Sequence, residues 1–186
     1  ALGNYICDRS EQAVVEEIAR LPQGSWTSTM VTDGYDEAVN LTATVTISEA
    51  GMHVDFEGSS PMINRGINVP MAYTTAYTVF GMSCIVAASI PKNAGSLKPL
   101  TVSAPSGSIV NAPKPAPVCS RHVIGQMLPD VVFGCLYQAI PERVPAEGCS
   151  CLWNLNVRSV SESGDGGAYG FSMAFTSNGG TGARPM

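Results

Sequence analysis

From residue 39 to residue 48 the chain alternates strictly: Val39, Leu41, Ala43, Val45 and Ile47 are apolar, and Asn40, Thr42, Thr44, Thr46 and Ser48 are polar. A period of two places one set in a core and the other in water, so this segment predicts a half-buried strand. Glu49-Ala50-Gly51 turns the chain, and Met52, Val54 and Phe56 then alternate with His53, Asp55 and Glu57, which predicts an antiparallel hairpin with one apolar face. A further strand is expected at 25–32. Upstream, Val14, Ile18 and Leu21 recur at helical spacing; Ser10 is the expected N-cap of a helix over 11–20, with acids in its first turn and Pro22 and Gly24 ending it.

The longest apolar run, 69–88, is interrupted by Tyr73, Thr74, Thr75, Tyr77, Thr78 and Ser83, so it predicts a buried helix over about 70–88 rather than a bilayer span. Beyond it come a turn-rich loop at 90–95, a strand at 100–104 and a turn at Pro105-Ser106-Gly107. Residues 113–117 are expected to be extended, because proline disfavours helix for the residue before it. A second helix is expected over 120–140, kinked or split by Pro129. The last third predicts a hairpin of strands 152–160 and 169–176. Strands and helices come in separate runs without βαβ alternation. The expected class is therefore α+β, with largely antiparallel sheets and two main helices packed on them.

Composition narrows the function. The 186 residues carry 10 Lys plus Arg against 15 Asp plus Glu, a net charge of -5, and 45% of them are hydrophobic. Nucleic acids and anionic membranes need clustered cations, so neither is an expected partner. The six cysteines (Cys7, Cys84, Cys119, Cys135, Cys149 and Cys151) lack paired CxxC spacing and read as reduced, mostly buried small apolar side chains, with a disulfide or metal role for Cys149 and Cys151 as the alternative. With no secretory signal visible, the expected location is the cytoplasm. The start at Ala1 and the stop after the glycine-rich 179–185 read as cuts, so residues 1–186 are expected to form a single segment, incomplete at both ends, of a longer polypeptide.

Three places could carry chemistry. His53, Asp55 and Glu57 would project together from one strand face, as a divalent-metal site or a carboxyl with raised pKa, or as a solvated face. Arg121-His122 opens a helix: arginine could grip a carboxylate or phosphate with two prongs, and histidine could move a proton, with Cys119 close enough in sequence for a Cys/His pair. The glycine loops at 58–61, 91–95 and 179–184 could cradle a ligand, but they match neither GxxxxGK[ST] nor GxGxxG and read better as tight turns. No serine elbow, HExxH or calcium loop is present. The residues alone thus assign no self-contained catalytic set.

The loops also follow one another in a familiar order. Residues 55–61 (DFEGSSP), Asn68, 91–95 (PKNAG), Pro105-Ser106-Gly107, 115–121 (PAPVCSR), 141–146 (PERVPA) and 179–184 (GGTGAR) together resemble the hydantoinase B/oxoprolinase family across nearly the whole chain. The resemblance implies part of an ATP-dependent enzyme that opens a cyclic amide, such as a hydantoin or 5-oxoproline. It would work in a hetero-oligomer with a hydantoinase A-type subunit or domain that handles ATP. Related large subunits of acetone and acetophenone carboxylases make ketone carboxylation the alternative, and a noncatalytic scaffold segment is a third. The family's His- and Asp-rich metal-binding half normally precedes this region, so a divalent metal would lie on sequence outside this chain and none is expected on it. Asn93, Arg121 and His122 are the expected substrate-binding residues, with Arg121 orienting an anionic or phosphorylated group; no catalytic residue is assigned.

Overall fold

A computed structural model of the chain describes residues 2–146, 152–159 and 169–176. In chain order the elements are α1 (Leu2–Ala19), β1 (Gly24–Thr32), β2 (Val39–Ser48), β3 (Gly51–Asp55), α2 (Met71–Val86), α3 (Ala94–Leu97), β4 (Leu100–Ser103), α4 (His122–Gly125), α5 (Leu128–Ala139), β5 (Leu152–Ser159) and β6 (Tyr169–Thr176). The class is α+β. A four-stranded sheet runs β1-β2-β3-β4, antiparallel in its first two pairings and parallel between β3 and β4; β5 and β6 form a separate antiparallel ribbon.

The alternation along β2 survives intact: Val39, Leu41, Ala43, Val45 and Ile47 are all buried. Met52, Val54 and Phe56 continue that face, and α5 packs on β1 and β2 while α2 packs on β4 and α5. Burying each such aliphatic side chain stabilises by about 1.5–3 kcal/mol, so this one-sided sheet covered by helices is where the fold gains most. Within the core, Cys135 Sγ donates to the Ala43 carbonyl at 3.1 Å, and burial pushes its thiol up to about 11 despite backbone hydrogen bonds to Val45 and Ser28.

The opposite sheet face is a ladder of hydroxyls. Ser25, Thr27 and Thr29 on β1 bond to Thr46, Thr44 and Thr42 on β2 at 2.9, 2.8 and 3.0 Å. The loop after β3 is stitched to the same strand, because the Ser59 and Ser60 hydroxyls accept from the Thr42 and Asn40 amides. Gly58, at φ +88°, takes the left-handed position of the turn from Phe56 to Ser59, a conformation that side chains with a Cβ rarely adopt. The glycine loop at 58–61 is thus a sheet-closing turn, one of the two readings its sequence allowed.

Several expectations are corrected. The first helix begins at Leu2, a full two turns earlier than expected, so Ser10 lies inside it, buried, and no acid occupies the first turn. Residues 113–117 form a turn, with the Ala116 amide donating to Pro113 O across a cis Lys114-Pro115 bond, rather than an extended run. Of the cysteines with described surroundings, Cys84 and Cys119 are exposed and only Cys135 is buried. The expected split at Pro129 is found: α4 ends at Gly125 and Pro129 sits in the first turn of α5, where its missing N–H has no helical partner to lose. Cys149, Cys151 and the glycine-rich 179–184 lie outside the described residues.

Candidate functional site

The first two turns of α2 place Tyr73 and Tyr77 one above the other, as residues four apart on a helix must be. Their rings stack with centroids 4.4 Å apart and planes 6° from parallel. Gln126, directly after α4, donates Nε2–H to the Tyr77 hydroxyl at 3.1 Å. α4 can approach this closely because residue 125 is glycine: a Cβ there would collide with the Tyr73 ring. Above the stack, the Arg121 guanidinium lies 5.8 Å from the Tyr73 centroid, within cation–π range, and Nη1 donates to Val118 O at 3.2 Å. Burial, together with a hydrogen bond to Tyr77, pushes Tyr73 up to about 12, against the opposing pull of Gln126 and Arg121. Tyr73 is therefore a neutral phenol at any physiological pH.

The loop that delivers Arg121 is locked to the loop before α2. Asn68, fully buried, accepts from the Ile63 amide at 2.8 Å and donates to the carbonyls of Ile63, Arg65 and Pro117 at 2.7, 2.8 and 2.9 Å. The Ser120 amide donates to Gly66 O at 2.7 Å, and Cys119 Sγ sits where a Cβ on residue 66 would be. On the far side of this junction the Arg65 guanidinium lies 5.2 Å from the Tyr35 centroid.

The residues expected from sequence divide between two places. Arg121 and His122 lie together at this junction, His122 half-buried as the first residue of α4. Asn93 lies where α3 meets α1: its Oδ1 accepts from the Gly95 and Ser96 amides, and its Nδ2 donates to Ser10 Oγ and to Pro91 O. It is a helix cap whose amide is fully engaged, and Ser10, expected to cap its own helix, is instead its partner. The loop at 91–95 leaves no room for a ligand at Gly95, because the Cys7 carbonyl fills the space of a Cβ.

The His53, Asp55 and Glu57 trio does not assemble. β3 stops at Asp55, and Glu57 turns away with its amide donating to Asp55 Oδ1. His53 and Asp55 share a face, but Ser103 stands between them: its hydroxyl donates to Asp55 Oδ1 at 2.9 Å, so it must accept from His53 Nε2–H at 2.9 Å. The other ring nitrogen is bonded to Thr101 at 2.8 Å. With both nitrogens engaged the ring has no lone pair to offer a metal, and no group of three His, Cys, Asp or Glu among the described residues could hold one. Nor is any helix among them long and apolar enough to cross a membrane.

Tyr73, Tyr77, Gln126 and Arg65 escaped the sequence reading of this site, and Asn68 entered it only through the family resemblance. The two tyrosines had a signal in their i, i+4 spacing, which looked like polar interruption of an apolar run.

Known proteins agree with this architecture. The chain is 26% identical over 160 residues to the proposed B-type component of a D-/L-hydantoinase from Pseudomonas sp. (strain NS671), covering 78% of this chain and 27% of that one. In three dimensions it matches the ATP-dependent caprolactamase of Pseudomonas jessenii with a TM-score of 0.72 and 26% identity, over 82% of this chain and 27% of the other. An acetone carboxylase in its nucleotide-free state matches with a TM-score of 0.65 at 15% identity, over 79% of this chain and 22% of that one, which speaks for the fold alone. The chain thus spans about a quarter of the length of these relatives. The family pattern described as hydantoinase B/oxoprolinase matches residues 1–186 from end to end, and the chain belongs to that family.

Proposed function

We propose that the chain is part of the B-type subunit of an ATP-dependent cyclic-amide hydrolase, acting with a hydantoinase A-type partner, and that it presents the Arg121 junction to the substrate. The observation that carries this reading is the state of Arg121. It is exposed, stacked on Tyr73, and paired with no carboxylate among the described residues, so its remaining N–H donors can meet a ligand. The hydantoinase-type and caprolactamase relatives supply the substrate class.

In such a complex ATP, handled by the partner, supplies activation of the amide carbonyl oxygen by phosphorylation. This chain's share is orientation. Arg121 grips an anionic group on the reacting ligand, and Tyr73, neutral up to about pH 12, holds the guanidinium in place without competing as an anion. His122 lines the same junction, and Asn93 keeps the α1–α3 corner in shape. Any divalent metal is assigned to sequence outside these residues, since the His53 region offers no open ligand. The free thiols Cys7, Cys84, Cys119 and Cys135 fit a reducing cytoplasm.

The test is ring opening by the assembled complex, with hydantoin, 5-oxoproline or caprolactam, with and without ATP. Arg121→Ala is expected to lower kcat/KM by about 10–100-fold, the worth of a charge-assisted hydrogen bond, while assembly stays intact on a sizing column. Full turnover in an assembled Arg121→Ala complex would mean a scaffold and overturn the assignment. ATP-dependent carboxylation of acetone without ring opening would move the chain to the ketone-carboxylase reading.

A further inference from the structure

β1 forms one edge of the four-stranded sheet, and nothing in its sequence guards that edge. Residues 21–32 hold no charged side chain, β1 has neither proline nor glycine after Gly24, and its register with β2 runs without a bulge. Edge strands that stay unpaired normally carry lysine, proline or a bulge, because their free N–H and C=O groups template another strand. Which groups are free follows from β2. The Asn40 and Thr42 amides donate to the Ser60 and Ser59 hydroxyls, and their carbonyls accept from Ser60 N and Ser59 Oγ. Both residues thus turn their backbone groups away from β1, so their partners Val31 and Thr29 turn theirs outward. Alternation carries the pattern to Thr27 and Ser25, and Gln138 Nε2 reaches the same side, donating to Thr27 O at 2.8 Å. Among the described residues no other hydrogen bond engages the outward groups of Ser25, Thr27, Thr29 and Val31.

The side chains along this edge complement a second copy of the same strand. In an antiparallel pair centred on Ser28, every residue of β1 finds a partner, whereas any other centre leaves some unpaired. Thr27 then faces Thr29 of the second copy, which continues the hydroxyl ladder of β1 and β2 across the seam. On the helix side the half-buried Trp26 faces the half-buried Met30. α5 leaves room for this approach. Its Gly134 rests on Ser28 of β1 while Cys135 bonds to Ala43 of β2, so the helix runs between the two strands. With strands about 4.8 Å apart, a two-fold axis through the seam sets the two α5 helices about 10 Å apart, the spacing at which helices pack. Tyr137, three residues on from Gly134, shares its side of the helix and is 61% exposed. Apart from Asp130 on α5, neither element carries a charge to oppose its copy. A nine-residue strand is about 30 Å long and the strand and helix layers together about 20 Å deep, so each copy covers about 600 Å², the least that a specific dimer needs.

We propose that β1 is a dimerisation edge, on which a second copy of this chain adds its own β1 antiparallel across a two-fold axis at Ser28, joining two four-stranded sheets into one. The inference stands apart from the substrate reading.

The experiment follows the full-length protein by sedimentation velocity over a concentration series, with backbone hydrogen exchange alongside. The mass is expected to double with a dissociation constant in the micromolar range, and the Thr29 amide to gain protection as it does. Thr29→Pro removes only an outward-facing donor, which an edge strand tolerates, so β1 still pairs with β2 while the dimer weakens by about 10–100-fold. Oxidised Ser28→Cys protein should form a disulfide between residue 28 of two copies, because an opposed pair not hydrogen-bonded to one another has Cα atoms about 4.5 Å apart. Peptide mass mapping separates that bond from any at the exposed Cys84 and Cys119. Unfolding midpoints verify that each variant is folded, and Thr29→Lys serves in place of a Thr29→Pro protein that is not. The proposal is overturned if no dimer forms at any concentration, if Thr29→Pro dimerises as well as the parent, or if residue 28 does not cross-link. A Thr29 amide already protected in the monomer also overturns it, since another strand of the longer polypeptide then covers the edge.

Discussion

Asn68→Ala removes a side chain that hydrogen-bonds the loop before α2 to the loop before α4. The amide oxygen takes one N–H, and two N–H groups serve three carbonyls, so one donor is shared and about three full hydrogen bonds are at stake. At about 1 kcal/mol net for each, the loss is about 3 kcal/mol. The side chain is fully buried, which adds a cavity cost, while Arg65 and Pro117 lie at the surface, where their freed carbonyls reach water and recover part of it. The expected cost is about 2–4 kcal/mol out of the 5–15 kcal/mol typical of a domain. It is read as a lower urea midpoint at unchanged m, with faster hydrogen exchange at the Ser120 amide that bonds to Gly66. Asn68→Asp keeps the shape but sets an acceptor-only group against three carbonyls, and should be worse. A cost below about 1 kcal/mol with Ser120 still protected, or an Asn68→Asp protein as stable as the parent, refutes the idea that this side chain holds the junction.

Two further outcomes follow from the geometry. Gly95→Ala forces a Cβ into the Cys7 carbonyl, a backbone atom that no rotamer change can move, so it should separate α3 from α1 and destabilise by about 1–3 kcal/mol; a neutral result in thermal melts would contradict the close approach. The folded pKa of Tyr73, about 12, lies above the ordinary tyrosine value of 10.0, so the native state holds its proton longer than the unfolded chain. The resulting stabilisation is fully present below about pH 10 and is lost as pH rises from about 10 through about 12. Tyr73→Phe should flatten the fall in urea midpoint over that window, and an unchanged slope would show that the phenol is not held neutral.

Elements whose burial is local were readable from residue order. The alternation at 39–48 needs only one buried face to become β2, and Pro129 excludes an uninterrupted helix whatever surrounds it. The failures share a cause. Ser10 has the chemistry of a cap, but its hydroxyl answers to Asn93, 83 positions away, and the two turns of α1 before it give no strong local signal. Glu57 matched the strand period, yet its strand had already ended in a turn at Gly58. Arg121 and His122 were singled out for their chemical type, which survives any fold. Arg65 and Asn68 matter only because residues about fifty positions on are packed against them.

The amino-acid order alone determined the α+β class, the strand faces, the helix break at Pro129 and, through seven loops in register, the family. Only the tertiary structure decided that β4 joins β3 in parallel, that His53 is held by hydroxyls rather than by a metal, and that two arginines from separate loops share one junction. The reason is range: periodicity and turn chemistry act over a few residues, whereas a hydrogen bond from Asn68 to Pro117 or a ring over a guanidinium depends on where the whole chain has gone.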